Sequence, residues 1–517
     1  MKLFLWFCMC WTIVAANLVD NVNLYIGTYG HGYGIGGLPV GAQVPFGMVR
    51  LSPDSTLTEQ IWVPWQHTGG YYYADTHIRM FSHTHCVGAG ELDYGTIGTM
   101  PSSSLPRKIG NGYINRYPFM QKFNHENETA QPGYYSVLLQ DQNINVELTS
   151  TTNVGVHRYT FSETTSERWI IFDVSYTLKY MGCAASEISI DTKNQQVTGY
   201  VLNMGDMSSR FGGMKVYFAA NFNETFDDFG VWDDSGRFHN NKNQANGTTV
   251  GGYVGFASSI NKVEMFVGIS FISVEQAQMN LQEQILNVFS SQSDSIFNDV
   301  RDSVQSEWEK ILGTVSINDF GPLATQDNIT VFYTALYHSY MAPTTFSEAG
   351  GFYLGFDQKV HSVSEGNYPM DSYYTDMSLW DTFRTEFPWL ALSNPAVMKD
   401  ISQSLVNMFE LGGDLPIWPM ANGYTNTMIG THADIVLADA MAHGISFDLE
   451  TAYQGMYQGA TEPQANGGRT DIQDYINLGY VPFESSSEGC CDTLAYAYDD
   501  WCVSLVANKL GNTNDFE

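Results

Sequence analysis

The spacing of hydrophobic residues changes once along the chain, near residue 273, and this change limits the folds that are open to it. From about residue 20 to 270, β-branched and aromatic residues recur in short alternating runs that Gly, Asn, Asp and Ser separate. Many short strands without intervening helices predict a large antiparallel β-sandwich over residues 17–272. The polar, Asn- and Gly-rich residues 233–252 are interpreted as a loop.

Helical spacing replaces this alternation from residue 274 onwards. Residues 274–312 place apolar side chains at helical intervals, which predicts one or two linking helices within the segment 273–319. The clearest later helical patterns cover residues 328–341, 396–411, 433–444, 448–458 and 493–510. Paired helices joined by loops rich in Gly, Pro and aromatic residues favour a helical toroid over a compact bundle for residues 320–517. The fold class is therefore multidomain, β followed by α.

The start of the chain has the pattern of a secretory signal peptide. Lys2 precedes a short apolar run that ends in small residues, and cleavage is expected after Ala16. The alternative is an anchoring helix, but a bilayer span needs roughly 20 apolar residues. No later apolar run is long enough to cross a membrane. We therefore expect a secreted or secretory-lumen protein, and four Asn-X-Ser/Thr sequons agree with this: Asn127, Asn223, Asn246 and Asn328.

The composition limits the partners and metals of the chain. Its formal net charge of −32 would repel nucleic acid and anionic membranes, whereas a neutral ligand or a divalent cation is compatible with it. Cys490 and Cys491 are adjacent and lack the C-x-x-C spacing of a zinc site, so no zinc is expected.

Residues 373–384 concentrate side chains that suit a sugar site; they read YYTDMSLWDTFR. Aromatic rings pack on the apolar faces of sugars, and an Asp/Arg pair can hydrogen-bond to sugar hydroxyls. Trp380 and Asp381, supported by Arg384, are therefore the leading candidates for a sugar subsite. The alternative is that Trp380 is a core residue and Arg384 a structural ion-pair partner.

The same block resembles the Ser-Leu-Trp-Asp-Thr-Tyr/Phe-Arg signature of glycoside hydrolase family 92, the exo-acting α-mannosidases. Further blocks are similar to that family, in the same order, from about residue 20 to the end. They include VNLYIGT (22–28), PFGMV (45–49), FSHTH (81–85), DYG (93–95), FYTALYH (332–338), LPIWP (415–419), MIGTHAD (428–434), LGYVP (478–482) and TLAYAYDDW (493–501). So many ordered blocks make coincidence implausible.

The resemblance implies a β-sandwich packed against an (α/α)6 toroid, with the site at their junction. It also implies a bound calcium ion, hydrolysis with inversion, and action on mannose-containing glycans, with α-1,2-linked mannose as the expected substrate. A family member is expected to continue well beyond Glu517 with further toroid helices and the catalytic base. On this basis the toroid is interpreted as incomplete and the chain as a fragment.

Inverting hydrolysis needs two carboxyl groups roughly 6.5–9.5 Å apart, one acting as acid and one as base. Glu488 matches the position of the family's general acid, while the base is expected beyond Glu517. A general acid that works near neutral pH needs a pKa raised by partial burial. This chain departs from the family at residues 489–491, which read GCC where small residues such as Ser, Val and Ser are usual. Glu488 could instead be a surface residue, and Glu484 is its nearest competitor.

Other candidates come from the matched blocks. His432 and Asp434 follow a Gly-containing loop that suits a pocket rim, although His432 could instead buttress a helix. His83 and His85 share one face of a strand, where sugar contact or a buried hydrogen-bonding role is favoured over metal ligation because calcium prefers oxygen. Trp418, in the block LPIWP, completes the substrate-binding candidates.

Two other functions remain open at this point. The chain could be an inactive or mannose-binding protein that lacks the catalytic base, in which case it would bind glycans without turnover. It could also be a toroid hydrolase for another sugar, in which case the released monosaccharide would differ from mannose.

Overall fold

The computed structural model describes residues 17–30, 36–57, 66–106, 109, 118–289, 295–317, 321, 325–469 and 471–516. The predicted signal peptide, residues 1–16, lies outside these ranges. The described chain forms an antiparallel β-sandwich followed by a helical domain, as the sequence predicts.

The strands of the sandwich account for most of the first half of the chain. Among the described residues they are β1 (Ser52–Thr56), β2 (His77–Ser82), β3 (Gly98–Ser102), β4 (Gln121–Lys122), β5 (Glu128–Gln131), β6 (Tyr134–Leu139), β7 (Ile144–Ser150), β8 (Val154–Thr160), β9 (Trp169–Asp173), β10 (Cys183–Asp191), β11 (Gln196–Asn203), β12 (Met214–Phe222), β13 (Asp228–Trp232), β14 (Phe238–Asn240), β15 (Gln244–Gly247), β16 (Gly251–Gly255) and β17 (Lys262–Ser270).

Two antiparallel sheets form the sandwich. In the described part of the chain, one sheet has the order β1-β2-β3-β9-β16-β13-β14, with β4 paired to β2. The other has the order β15-β10-β11-β12-β17-β8-β7-β6-β5. In β6 the side chains of Tyr135, Val137 and Leu139 are buried and those between them are half-buried. This alternation places one face of the strand in the core, which is why the sequence pattern identifies it.

The prediction of a loop over residues 233–252 is wrong. This segment contains β14 and β15 and runs into β16. β14 pairs with β13 and β15 pairs with β10, each at the edge of its sheet. Edge strands are short and carry polar side chains, so they lack the apolar alternation that marks a strand in sequence.

Helices begin directly after β17 and connect the two parts of the chain. The first is α1 (Val274–Leu281), whose N-cap Ser273 accepts a hydrogen bond from the Gln276 amide, and a π-helical turn follows it. The second, α2 (Ile296–Leu312), lies against the sandwich, because the indole of Trp308 donates to the Gln43 carbonyl at 2.7 Å. The sequence predicts one or two linking helices, and the described chain has two.

The helical domain follows the linking helices. It contains α3 (Gln326–His338), α4 (Leu379–Thr382), α5 (Glu386–Ser393), α6 (Pro395–Gly412), α7 (Ala433–Ala442), α8 (Leu449–Thr461), α9 (Ile472–Leu478), α10 (Gly489–Leu510) and α11 (Thr513–Phe516). Short strand pairs lie between these helices: β18 (Thr344–Thr345) with β21 (Tyr374–Thr375), β19 (Phe352–Leu354) with β20 (Val360–Ser362), and β22 (Pro419–Met420) with β23 (Gly423–Tyr424).

The helical spacing read from the sequence identifies α3, α6, α7, α8 and α10. α10 begins at Gly489, one turn before the predicted start at residue 493. In the core of the domain, α6 packs against α5, α7 and α8, and α10 packs against α7 and α8. Over the described ranges, every helix is too short or too polar to cross a membrane.

Candidate active site

Two neighbouring pockets lie among the loops of the helical domain. Pocket A has a volume of about 220 Å³ and also receives two sandwich residues; it is lined by Val87, Gly88, His338, Ala342, Pro343, Asp376, Met377, Ser378, Asp381, Thr382, Glu386, Phe387 and Trp418. Pocket B has a volume of about 230 Å³ and is lined by Ile417, Asn426, Met428, Ile429, Gly430, Gly467, Gly468, Asp471, Ser486, Glu488, Asp492 and Tyr496. Trp418 lines pocket A and the preceding residue, Ile417, lines pocket B, so the two pockets are neighbours.

The predicted sugar subsite is only partly assembled in pocket A. Asp381 lies in α4 and lines the pocket, where Ser378 Oγ donates to its Oδ2 at 2.6 Å. Trp418 lines the same pocket. Trp380 and Arg384 lie outside that lining, and the guanidinium of Arg384 stacks 5.2 Å from the Trp380 ring centroid. Asp381 and Trp418 are therefore the parts of the prediction that line pocket A.

The sandwich holds one wall of pocket A through a buried hydrogen bond. The phenol of Tyr94 donates to the carboxylate of Asp376, which also accepts from the Ala421 amide at 3.0 Å. Burial, with the charge of Asp376, raises the pKa of Tyr94 well above its usual value, so the phenol stays protonated. Asp376 has a φ of 58°. The bond thus holds a left-handed backbone position in the pocket wall.

Arg50 of the sandwich fixes a second wall. Its guanidinium is buried and donates to the Met341 carbonyl at 2.8 Å, to Thr344 Oγ1 at 2.8 Å and to the His85 carbonyl at 3.0 Å. Met341 directly precedes Ala342 and Pro343, which line pocket A. The sandwich therefore positions the pocket from two sides.

Besides Asp376, sequence reasoning missed two titratable residues of pocket A, His338 and Glu386. Burial lowers the pKa of His338 to about 4. Burial, and then the charge of Asp381, raises the pKa of Glu386 to about 8. At neutral pH the imidazole is therefore uncharged and the Glu386 carboxyl carries its proton. Glu386 lies five residues after Asp381 in sequence. Its protonation at neutral pH depends on burial, which the sequence motif does not indicate.

Glu488 lies in pocket B at the start of α10. Its backbone carbonyl accepts from the amides of Cys491 at 2.8 Å and Asp492 at 3.0 Å, which begins the helix. Glu488 is exposed, because it precedes the helix at the surface. The partial burial expected of a general acid is therefore absent. Burial, and also the charges of Asp471 and Glu488, raise the pKa of Asp492. Pocket B thus brings three carboxyl groups together, and the role of Glu488 stays a prediction.

A buried ionic network lies behind pocket B. Arg469 Nη1 is 2.5 Å from Asp500 Oδ1, and its Nη2 is 3.6 Å from Asp434 Oδ2. Arg469 follows Gly467 and Gly468, which line the pocket, so it ties that loop to α7 and α10. This arginine is a site-supporting residue that the sequence analysis did not identify.

His432 and Asp434 belong to this network rather than to a pocket rim. They are 4% and 1% exposed. His432 Nδ1 is 3.0 Å from Asp499 Oδ1, and Thr431 Oγ1 donates to Asp434 Oδ2 at 2.8 Å. Burial, and then the charge of Asp499, raise the pKa of Asp434 well above its usual range. Both side chains therefore lie in the buried network behind pocket B, and their predicted contact with the sugar stays a prediction.

His83 and His85 are buried in the sandwich. His83 Nδ1 lies 2.7 Å from the Ile97 carbonyl, and its Nε2 lies 2.9 Å from His157 Nε2. His85 Nδ1 lies 2.7 Å from the Arg50 carbonyl, and its Nε2 lies 2.9 Å from Asp54 Oδ1. All four ring nitrogens are bonded to protein groups. Of the two roles considered for this pair, the geometry matches the buried hydrogen-bonding one and leaves no ring nitrogen for a sugar.

The described part of the chain shows no carboxylate cluster that would hold calcium. In the ranges that the structure covers, no group of three or more His, Cys, Asp or Glu side chains is placed to hold a metal ion. No chemical step is therefore assigned to calcium. The four predicted glycosylation sites all lie at exposed positions: Asn127, Asn223, Asn246 and Asn328.

Two family models match the chain. The Glycosyl hydrolase family 92 N-terminal domain matches residues 21–270, and the Glycosyl hydrolase family 92 catalytic domain matches residues 276–517. The boundary between them falls where the last strand of the sandwich gives way to α1.

Solved structures of similar proteins share the fold. A family GH92 α-mannosidase from Bacteroides thetaiotaomicron is 30% identical, with a TM-score of 0.83, covering 97% of this chain and 63% of that one. The same enzyme is also known in complex with mannoimidazole. An inverting mannosidase of family GH92 from Bacteroides thetaiotaomicron VPI-5482 is 26% identical, with a TM-score of 0.81 and coverages of 97% and 63%.

A curated relative extends the comparison to fungi. An uncharacterized secreted glycosidase from Arthroderma benhamiae is 23% identical over 538 residues, covering 96% of this chain and 61% of the relative. The chain therefore spans less than two thirds of the length of these relatives.

Proposed function

The chain belongs to glycosyl hydrolase family 92, and on that premise we propose that it acts as a secreted exo-α-mannosidase on mannose-containing glycans. The observation that carries the proposal is pocket A, which brings Asp381 and Trp418 together where the helical domain meets the sandwich. The likeness to an α-mannosidase at 30% identity supports mannose as the sugar.

In this proposal pocket A receives the terminal sugar. The Asp381 carboxylate accepts hydrogen bonds from sugar hydroxyls, and the ring of Trp418 packs on an apolar sugar face. A volume of about 220 Å³ is small beside the roughly 300–1,000 Å³ of pockets for drug-sized ligands. Such a pocket suits a single sugar unit, which is what removal of terminal residues requires.

Glu488 is proposed as the general acid. Glu488 lines pocket B, beside pocket A, and in this proposal it protonates the oxygen of the leaving sugar as the glycosidic bond breaks. Water would then attack from the opposite face, with inversion, aided by a second carboxylate. None of the described residues is assigned as this base.

The other parts of the proposal are α-1,2 linkage preference, secretion, glycosylation and calcium dependence. Secretion is supported by the name of the fungal relative and by the exposed positions of the four sequons. The net charge of −32 agrees with neutral glycans as partners, since they carry no charge to be repelled. Calcium rests on the family alone, because the described His, Cys, Asp and Glu side chains form no group placed to hold a metal ion.

The proposal is tested by incubating the purified protein with α-1,2-mannobiose and identifying the released monosaccharide by anion-exchange chromatography. Proton NMR of the first product gives the stereochemistry, and β-mannose is expected for inversion. Release of glucose or another monosaccharide from a mixed glycan panel would favour a hydrolase of different specificity. Binding of mannobiose without turnover would favour a mannose-binding protein.

A further inference from the structure

We propose that Glu386 contacts a hydroxyl of the sugar in pocket A and determines which sugars this pocket accepts. The inference rests on the proposed function, because it takes pocket A as the sugar pocket. Glu386 is the first residue of α5 and shares the pocket lining with Asp381.

The position of Glu386 gives its carboxyl a special environment. Glu386 lines pocket A and also an adjoining apolar cavity of about 630 Å³, whose walls include Phe332, Leu336 and Trp389. Glu386 is half-buried, and within the described part of the chain no protein group hydrogen-bonds its carboxyl. A carboxyl at an apolar wall without a protein partner gains most from a ligand that supplies one.

The neighbouring Asp381 determines what kind of partner fits. A sugar hydroxyl both donates and accepts hydrogen bonds, so it can donate to the Asp381 carboxylate and accept from a protonated Glu386. Burial and the charge of Asp381 hold the pKa of Glu386 near 8, so the proton is available at neutral pH. Two ionised carboxylates would both accept, and a single hydroxyl proton could serve only one of them.

The other titratable groups around the two cavities do not compete for this role. They are His338, Asp376 and Asp381. Burial keeps the His338 imidazole neutral by lowering its pKa to about 4. The Asp376 carboxylate already accepts from Tyr94 and Ala421. α6 and α7, which pack against α5, contribute no residue to either cavity within the described ranges.

This arrangement predicts selectivity for the orientation of one hydroxyl. A site built to hydrogen-bond a hydroxyl discriminates strongly against an analogue that lacks it, because the polar groups of the protein are then left without partners. An epimer that points this hydroxyl away would leave Glu386 without a partner and Asp381 with the Ser378 hydroxyl alone. Glu386 would therefore add to the preference of the pocket for its own sugar over epimers.

The test measures mannose binding by calorimetry at pH 6 and pH 9, for the wild type, Glu386→Gln and Glu386→Ala. We expect wild-type affinity to fall about tenfold at pH 9, which corresponds to losing one hydrogen bond. Glu386→Gln keeps a donor of the same shape, so it should match the wild type at pH 6 and lose the pH dependence. Glu386→Ala should bind about tenfold more weakly already at pH 6. Glu283→Gln, at an exposed linker position, is the matched control.

Two results would overturn the inference while leaving the sugar pocket in place. These are equal mannose binding by Glu386→Ala and the wild type, or an unchanged pH dependence in Glu386→Gln. If the wild type binds neither mannose nor mannoimidazole, pocket A is not a sugar pocket, and both the proposed function and this inference fail. Circular dichroism of each variant establishes that a loss of binding is not a loss of folding.

Discussion

The phenol oxygen of Tyr94 lies 2.8 Å from one carboxylate oxygen of Asp376 and 3.1 Å from the other, although 282 residues separate the two in sequence. Tyr94 belongs to the sandwich and Asp376 to the wall of pocket A. The pocket therefore depends on how the two parts of the chain pack, and changes inside the sandwich should be felt at the candidate site.

Tyr94→Phe tests this dependence. The substitution leaves the buried Asp376 carboxylate with the Ala421 amide alone, and an unsatisfied buried acceptor costs about 1–3 kcal/mol. We expect a loss of unfolding free energy of this size in urea titrations, together with weaker mannose binding. Tyr457→Phe, at an exposed position, is the control. Unchanged stability and binding in Tyr94→Phe would contradict the role assigned to this bond.

Glu488→Gln tests the assignment of the general acid. Removing a general acid lowers the rate by about 10²–10⁴-fold, while mannose binding in pocket A should stay close to that of the wild type. The loss should be much smaller for 2,4-dinitrophenyl α-mannoside, whose leaving group needs no proton. Steady-state rates on this substrate and on α-1,2-mannobiose distinguish a missing proton donor from a damaged pocket.

The control for this experiment is Glu484→Gln, since Glu484 is exposed and lies outside the lining of pocket B. It should leave both rates unchanged. An equal loss on both substrates in Glu488→Gln would indicate a damaged pocket rather than a missing proton donor. A loss in Glu484→Gln alone would transfer the assignment to that residue.

The sequence predicts those strands and helices whose apolar residues recur at a regular local spacing. β6 alternates buried and half-buried side chains, and α6 repeats apolar residues at helical spacing, so both are identified from spacing. The edge strands β14 and β15 are missed because their pairing is decided by distant neighbours, not by their own pattern.

The candidate site is less predictable because it depends on contacts between distant parts of the chain. The motif around Asp381 identifies a residue that lines pocket A, and its role in sugar binding stays a prediction. The Gly-containing loop before His432 predicts a position at a pocket rim. In the structure His432 is buried, and its Nδ1 lies 3.0 Å from Asp499 Oδ1. No local signal marks Glu386, whose protonation depends on burial, or Arg469, whose partners come from α7 and α10.

Arg469→Met tests the network behind pocket B. The substitution leaves Asp434, Asp499 and Asp500 without their buried cation, and breaking such an arrangement costs about 3–5 kcal/mol. Arg469→Lys, which keeps the charge but not the forked geometry, should lose less. The double variant Arg469→Met/Asp434→Asn should recover part of the loss, because it removes one buried acid. Urea unfolding at pH 7 measures all three, and a double variant less stable than Arg469→Met would contradict the electrostatic explanation.

Glu348 should make the stability of the protein depend on pH. The carboxyl is buried and accepts from the Phe271 amide at 2.9 Å and from Asn280 Nδ2 at 2.8 Å. Burial raises its pKa from 4.5 to about 7. The folded state therefore holds this proton more tightly than the unfolded state. The resulting stabilisation is complete below pH 4.5 and is lost as the pH rises through about 7.

Comparison of the wild type with Glu348→Gln isolates this contribution from that of Glu386, whose raised pKa acts in the same direction. Between pH 4.5 and pH 8 the wild type should lose up to about 3 kcal/mol more unfolding free energy than the variant, since each pKa unit corresponds to about 1.4 kcal/mol. Urea titrations at both pH values give the difference. Glu450→Gln, an exposed position on α8, should keep the full wild-type dependence. If Glu348→Gln also kept it, another group would have to hold the proton that the folded protein takes up.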